Sequence, residues 1–347
     1  MSVTIEVLLK LIIVLFIILF SFSIYLVMKR LLEQFYMKKK AEYLKDKQNE
    51  WYLYFRGKKE FSSLLIPNKK YEIEVIEEIF LAYLTNLSSS YIQHKIKRFS
   101  NQYLKQHYQK LLRNRKWSTR MNAMYRIADF QIDSLLYDCE KMERNKLSKE
   151  ESFHLLKIYS ILHKEKFINR FLTLSETFSE YEYKKLFMSV SDDILESLMD
   201  RIEDLPLPCQ YSIVETIGGV RNVERLPFLE AQLNGSDGEM RIRALKAIHE
   251  IGIIINLEKY IPFVYSKVWE ERLMMAKLLG NSSLVETLPY LEKLLQDESW
   301  WVRSQAAKTI GNGKKGSEIL QAFIETATDK YAVDVAYEVL KKGRNNE

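Results

Sequence analysis

Arginine returns at a fixed interval along the C-terminal half of this chain. Arg241, Arg272 and Arg303 are each 31 residues apart, in the segments MRIRALKAIHEIG, ERLMMAKLLG and WVRSQAAKTIG. A further step enters VDVAYEVL, with Asp334 expected in the slot. One step back lands on Gln210 in QYSIVETIGG, and three more reach Arg120 in STRMNAMYRIAD. In each copy up to Arg303, apolar residues stand three, four and seven places after the column, as Ala306, Ala307 and Ile310 do after Arg303. That spacing is one buried face of a short helix. A unit this small has nothing of its own to bury the face against, so it must stack on further copies.

A second helix precedes each of these. ERLPFLEAQL, KYIPFVYSKV and ETLPYLEKLL carry Pro227, Pro262 and Pro289, which suit a first helical turn. With only 11 Gly and 6 Pro in 347 residues, the chain lacks the turn residues of a strand-rich fold, so it reads as all-α. Counted by the period, about seven or eight helix pairs fit.

The stretch LPYLEKLLQDESWWVRSQAAKTIG resembles the HEAT-repeat family, in the short form often called lyase-type HEAT-like. That pattern is L-P-x-L on a first helix, a turn Asp, then V-R-x-x-A-A-x-x-L-G on a second. The resemblance covers about 190–342, extends to 100–130 and degenerates between. Ahead of Arg241, Gly235 replaces the turn Asp, and Asp204 keeps it where Gln210 replaces the Arg. The resemblance implies a right-handed α-α solenoid, here in a membrane-anchored, bacterial-type member. It implies structural roles for Asp297 and the Arg241, Arg272 and Arg303 column, linking successive repeats.

Residues 7–28 are apolar apart from Lys10, and about 33 Å of helix is enough to cross a bilayer core. Lys29, Arg30, Lys38, Lys39 and Lys40 follow. The positive-inside rule then puts the body in the cytoplasm, as a single-pass protein of the cell membrane. A cleaved signal peptide would have its basic residues first and a small-residue cleavage site, and neither is present.

Charge is unevenly spread. Residues 1–128 hold 23 Lys+Arg against 10 Asp+Glu, and the remainder holds 29 against 36. Between 79 and 128 no acidic residue occurs, while Lys95, Lys97, Arg98, Lys105, Lys110, Arg113, Arg115, Lys116, Arg120 and Arg126 alternate with aromatics. Basic and aromatic residues together suit nucleic acid through phosphate contacts and stacking. Beside an anchor, anionic lipid or an acidic partner is the favoured ligand. Lys95, Lys97, Arg98, Lys105, Arg113, Arg115 and Lys116 are the candidates for such a surface. Trp300 and Trp301 are the candidates for a partner helix, with packing between repeats as the favoured alternative.

No catalytic, cofactor or metal motif is found. The five histidines have no ligand spacing, Cys139 and Cys209 form no CxxC, and GNGKKGS lacks GxxxxGK[ST] and follows a helix. The expected organisation is an anchor over 1–28, a helical connector over 29–90 and a basic segment with a first degenerate repeat over 91–130. Degenerate repeats over 131–205, HEAT-like repeats over 206–343 and a tail over 344–347 complete it. The expected role is a non-catalytic scaffold binding a protein partner at the cytoplasmic face. A membrane enzyme complex such as one making polysaccharide would be a suitable partner. A nucleic-acid binder and, by fold analogy alone, a chromophore lyase are the alternatives.

Overall fold

The computed structural model describes residues 5–87, 89–144, 146–173 and 178–344. Residues 1–4 of the expected anchor and 345–347 of the expected tail lie outside them. Among the described residues there are helices and no strands, in two compact units, 1–164 and 165–347.

The first unit is built on α1 (Ile5–Phe55), a single 51-residue helix. It is the one helix among the described residues that is long and apolar enough to cross a membrane, and its residues from Leu9 to Phe35 are exposed. Beyond Phe35 a stripe on one side becomes covered, ending in the buried Trp51 and Phe55. The cover is α2 (Lys70–Asn86), which buries Val75, Ile76, Ile79 and Phe80. Glu72 starts this helix by accepting the N–H groups of Asn68 and Lys69.

Contacts fix the directions within this unit. Tyr36 donates to Glu74 at 3.0 Å, and Trp51 meets Phe80 edge-on at 4.9 Å, so α2 runs parallel to α1. Next come α3 (Ser90–Phe99) and α4 (Lys105–Leu112), continuous through a π-helical turn at Ser100–Leu104. Phe99 lies 5.0 Å from Trp51, and Tyr108 donates to Glu77, so α3 and α4 run back along α1. α5 (Trp117–Asp129) reverses again, placing Arg126 beside Glu77. α6 (Leu136–Glu143) and α7 (Lys149–Leu162) repeat the α4–α5 hairpin, and Glu151 of α7 answers Arg120 of α5.

The second unit holds α8 (Lys164–Thr173), α9 (Glu180–Phe187), α10 (Asp192–Met199), α11 (Leu207–Val220), α12 (Leu226–Gln232) and α13 (Gly238–Ile251). It continues with α14 (Trp269–Leu278), α15 (Leu284–Leu295), α16 (Trp300–Gly311), α17 (Gly316–Thr326) and α18 (Lys330–Arg344). The helices α9, α11, α13, α14, α16 and α18 pack each on the next, a stack backed by α12, α15 and α17. The apolar columns read from sequence are its core: Ile213, Val214, Ile217, Ala244, Leu245, Ile248, Met275, Ala276, Leu279, Ala306, Ala307 and Ile310 are all buried. Gly218 lets α11 approach α13 closely, since a Cβ there would lie 2.6 Å from the Ala247 Cα.

Three details differ from the sequence reading. KYIPFVYSKV is no α-helix but a five-residue 3-10 helix, Ile261–Tyr265, because the chain turns away at Ser266. Pro289 stands inside α15 rather than at its start, since the helix opens five residues earlier, at Leu284. In the last copy the period contracts. Arg303 is the fourth residue of α16, but the fourth of α18 is Val333, so Asp334 stands one place past the slot. Its side is exposed, and Ala332, Val335 and Ala336 are the residues buried there.

Candidate functional site

The arginine column makes one local structure four times. Arg120, Arg241, Arg272 and Arg303 each donate Nη1 to the carbonyl six residues earlier, on Asn114, Gly235, Ser266 and Asp297, at 2.6–3.0 Å. This fastens the turn between the two helices of a pair. The guanidinium then reaches forward. Arg120 pairs with Glu151 at 2.7 Å, Arg241 with Glu271 at 2.7 Å, and Arg272 with both oxygens of Asp297 at 2.6 and 2.9 Å. Arg303 instead lies over the Tyr331 ring, 5.5 Å from its centre. Arg272 and Asp297 leave only 9 % and 8 % of their side chains exposed. Asp297 raises the Arg272 pKa further above its ordinary value.

The acid-free run does not form one surface. Lys97 pairs with Asp133, Arg113 with Asp138 and Arg126 with Glu77 and Asp129, acids supplied by neighbouring segments. Lys105 sits half-buried on α4. The remaining cations gather at two ends of the helical layer. From Arg98 to Arg113 is about 22 Å along a helix.

At the end of α1, a cleft of about 820 Å³ opens between the 57–61 loop and α3. Lys95 crosses it to donate to the Tyr54 carbonyl at 2.5 Å, closing the C-terminus of α1, with its ammonium 4.3 Å from the Tyr54 and Tyr91 ring centres. Lys95 is thereby committed to local structure. Arg98, Lys58 and Lys59 line the cleft as its other cations, and Lys59 stands 3.7 Å from Glu50. Phe61 stacks on Tyr103 at 5.4 Å to form an aromatic wall. Burial raises the Tyr54 pKa and the Arg98 charge opposes it, so the phenol stays neutral near pH 7. The loop enters through Gly57 at φ +68°, where an added Cβ would also press on the Tyr91 hydroxyl.

Arg113, Arg115 and Lys116 sit in the α4–α5 turn at the opposite end, all exposed. In the second unit, Trp300 and Trp301 open α16 with 46 % and 60 % of their surfaces exposed. They stack edge-to-face at 4.9 Å. Trp269, the first residue of α14, and Tyr331, the second of α18, are exposed at the equivalent positions. These aromatics form a ridge along the starts of three successive helices. Tyr331 was missed in the sequence, although the 31-residue interval from Trp300 leads to it.

Among the described residues no cluster of three metal-ligating side chains occurs. Both cysteines are buried free thiols, and burial pushes Cys139 up to about 12 and Cys209 further. Such thiols stay protonated and make poor nucleophiles.

No curated protein matches the chain. A family model described as HEAT repeats matches residues 257–341, the part of the second unit that carries α14 to α18. Residues 257–341 therefore read as HEAT repeats, both by the family match and by the stacking of α14, α16 and α18.

Proposed function

We propose that the protein is a non-catalytic scaffold, held at the cytoplasmic face of a membrane by α1, whose repeats bind a protein partner. HEAT repeats generally mediate protein–protein interaction, and the observation that carries the reading here is the ridge of Trp269, Trp300, Trp301 and Tyr331. Large exposed aromatics contribute little to folding, whereas aromatic anchors account for much of the energy of protein interfaces. The apolar stretch of α1, followed by Lys29, Arg30 and Lys38 to Lys40, supports the tether and its orientation. In this reading residues 1–28 anchor, 29–90 connect, 91–130 begin the repeats, and 131–205 and 206–343 continue them.

Nucleic acid is the weaker ligand for the basic run. Lys97, Arg113, Arg120 and Arg126 face carboxylates, which leaves phosphates fewer cations than the sequence offers.

The test is affinity capture of the full-length protein from crosslinked membranes, beside a form lacking residues 1–28 and a Trp300→Ala/Trp301→Ala variant. A stoichiometric protein partner held by the first two and lost by the third is expected. Absence of any stoichiometric partner, or equal capture by the tryptophan variant, would sink the reading.

A further inference from the structure

The direction of the helices in the first unit has a consequence for its two clusters of cations. Within α1, Met28 closes the apolar run, and Tyr36 and Lys40 already hold Glu74 of α2. Tyr108, next to His107 on α4, donates to Glu77, which lies between the two carboxylates that Lys40 holds, Glu74 and Glu78, so His107 stands about level with Lys40. From there α4 runs towards the span for a further turn and a half. The α4–α5 turn, 113–116, therefore projects beyond the N-terminus of α2. A second line of contacts agrees: Arg126 lies beside Glu77, and Trp117 is nine residues closer to the span along α5. Lys40 is about 18 Å from Met28 and the turn lies about 9 Å back towards it, so it reaches about 9 Å from the end of the apolar run. The polar layer of a bilayer leaflet is roughly 5–7 Å deep, and charges act over about 8 Å at physiological salt.

The α6–α7 turn shares this end, because Trp117 donates its indole N–H to Ser148 at 3.1 Å. Lys110, Arg115, Lys116, Arg144 and Lys146 are exposed there, and Trp117 is 47 % exposed. Over the described residues of 105–118 and 141–150, Glu150 is the only exposed carboxylate. A cleft of about 300 Å³ between the two turns is lined by Arg113, Arg120 and Lys146, with Glu151 already paired to Arg120. The other cleft is elsewhere: Tyr54 is 26 residues past Met28, about 39 Å along the helix, well outside the reach of headgroups.

We propose that these two turns form a second membrane contact, in which the cations and Trp117 dock on anionic phospholipid headgroups beneath the span. This rests on the reading of α1 as a membrane anchor. One covalent tether leaves the body free to swivel. A basic, tryptophan-bearing face pressed on an anionic leaflet would hold it in one orientation and point the Arg98 cleft into the cytoplasm.

The experiment uses full-length protein in nanodiscs of phosphatidylcholine, alone or mixed with phosphatidylglycerol. A nitroxide is placed at Ser118→Cys or, as the remote control, at Lys58→Cys; the native cysteines are buried. Phosphatidylglycerol is expected to immobilise the label at 118 and leave that at 58 unchanged. High salt should reverse the effect, and an Arg115→Glu/Lys116→Glu variant should abolish it. A chain that enters the discs while its label at 118 ignores phosphatidylglycerol would overturn the proposal. A label at 58 that responds equally would overturn it too. A chain that does not stay with the discs on gel filtration would instead refute the anchor, and this proposal with it.

Discussion

Arg272 and Arg303 occupy the same column in successive repeats, yet the structure predicts different costs for losing them. Arg272→Ala strands Asp297, whose side chain is 8 % exposed and which loses both its guanidinium bonds. One contact remains, from the Ser299 N–H at 2.8 Å. Removing one partner of a buried ion pair costs about 3–5 kcal/mol. Arg303→Ala removes bonds to the carbonyls of Asp297 and Glu298 and a ring contact, and it strands no charge. Neutral losses of this kind come to about 1–2 kcal/mol. Two units make a single global unfolding free energy ill-defined, so the reporter must be local. Amide hydrogen exchange in α14 to α16 of the full-length protein serves. The 3–5 kcal/mol cost corresponds to exchange about a hundred- to a few thousand-fold faster, against about ten-fold for Arg303→Ala. Combining Arg272→Ala with Asp297→Ala should recover part of the loss, because the uncompensated charge is gone. Equal exchange in the two single variants would refute burial as the deciding factor.

Gly218→Ala drives a methyl to within 2.6 Å of the Ala247 Cα. It should destabilise the α11–α13 contact by about 1–3 kcal/mol, read as faster amide exchange in α11 and α13, whereas Gly219→Ala, open on all sides, should not. Lys95→Met removes the cation that closes the end of α1, and faster exchange at Tyr54 to Gly57 is expected; unchanged exchange there would contradict the capping role. Acid should weaken the fold. Burial opposes ionisation of Glu74, Glu151 and Glu230, but donors from Tyr36 and Lys40, from Arg120 and Ser148, and from Lys259 and Tyr260 hold their pKa values below the ordinary range. With folded values depressed, their stabilisation is present above the unfolded pKa of about 4.3 and is lost as pH falls through the folded values. Amide protection in α2, α7 and α12 that stays flat from neutral pH into that range would contradict these contacts.

Periodicity made the second unit legible because a solenoid repeats its physics. The same helix face is buried in each copy, so Ala306, Ala307 and Ile310 announce what Met275, Ala276 and Leu279 do. Local exceptions were harder to see. KYIPFVYSKV has the composition of its sister helices, and only the turn at Ser266, fastened by Arg272, marks it as a single 3-10 segment. The slip of Asp334 is one residue, and the spacing of short apolar side chains around Ala332 and Ala336 does not reveal it without α18 in place. Arg272 and Arg303 look alike in sequence because burial of the forward partner depends on where a neighbouring repeat puts its turn.

The basic run shows the same limit at the scale of a surface. A stretch of fifty residues without a carboxylate looks like one charged face. Its helices α3, α4 and α5 lie beside α2, α6 and α7, though, and those neighbours bring Glu77 to the middle of the layer and Asp138 and Glu151 to the inner side of its turn. Burying part of a helical layer favours such compensation, because an unpaired charge costs most where water is scarce. Cations that point into water face no such demand. Arg98 with Lys58 remains at one end, and Arg115 with Lys116 at the other, separated by the π-helical turn and α4, about 22 Å along the helix. A single ligand smaller than that separation engages one end only. Charge reversal at Arg98 and at Arg115 should therefore act on different measurements, capture of a soluble partner and response to anionic lipid. If both reversals impaired the same one, the two ends would have to serve one extended partner, and a long acidic chain would replace the lipid as the ligand of the membrane-facing turns.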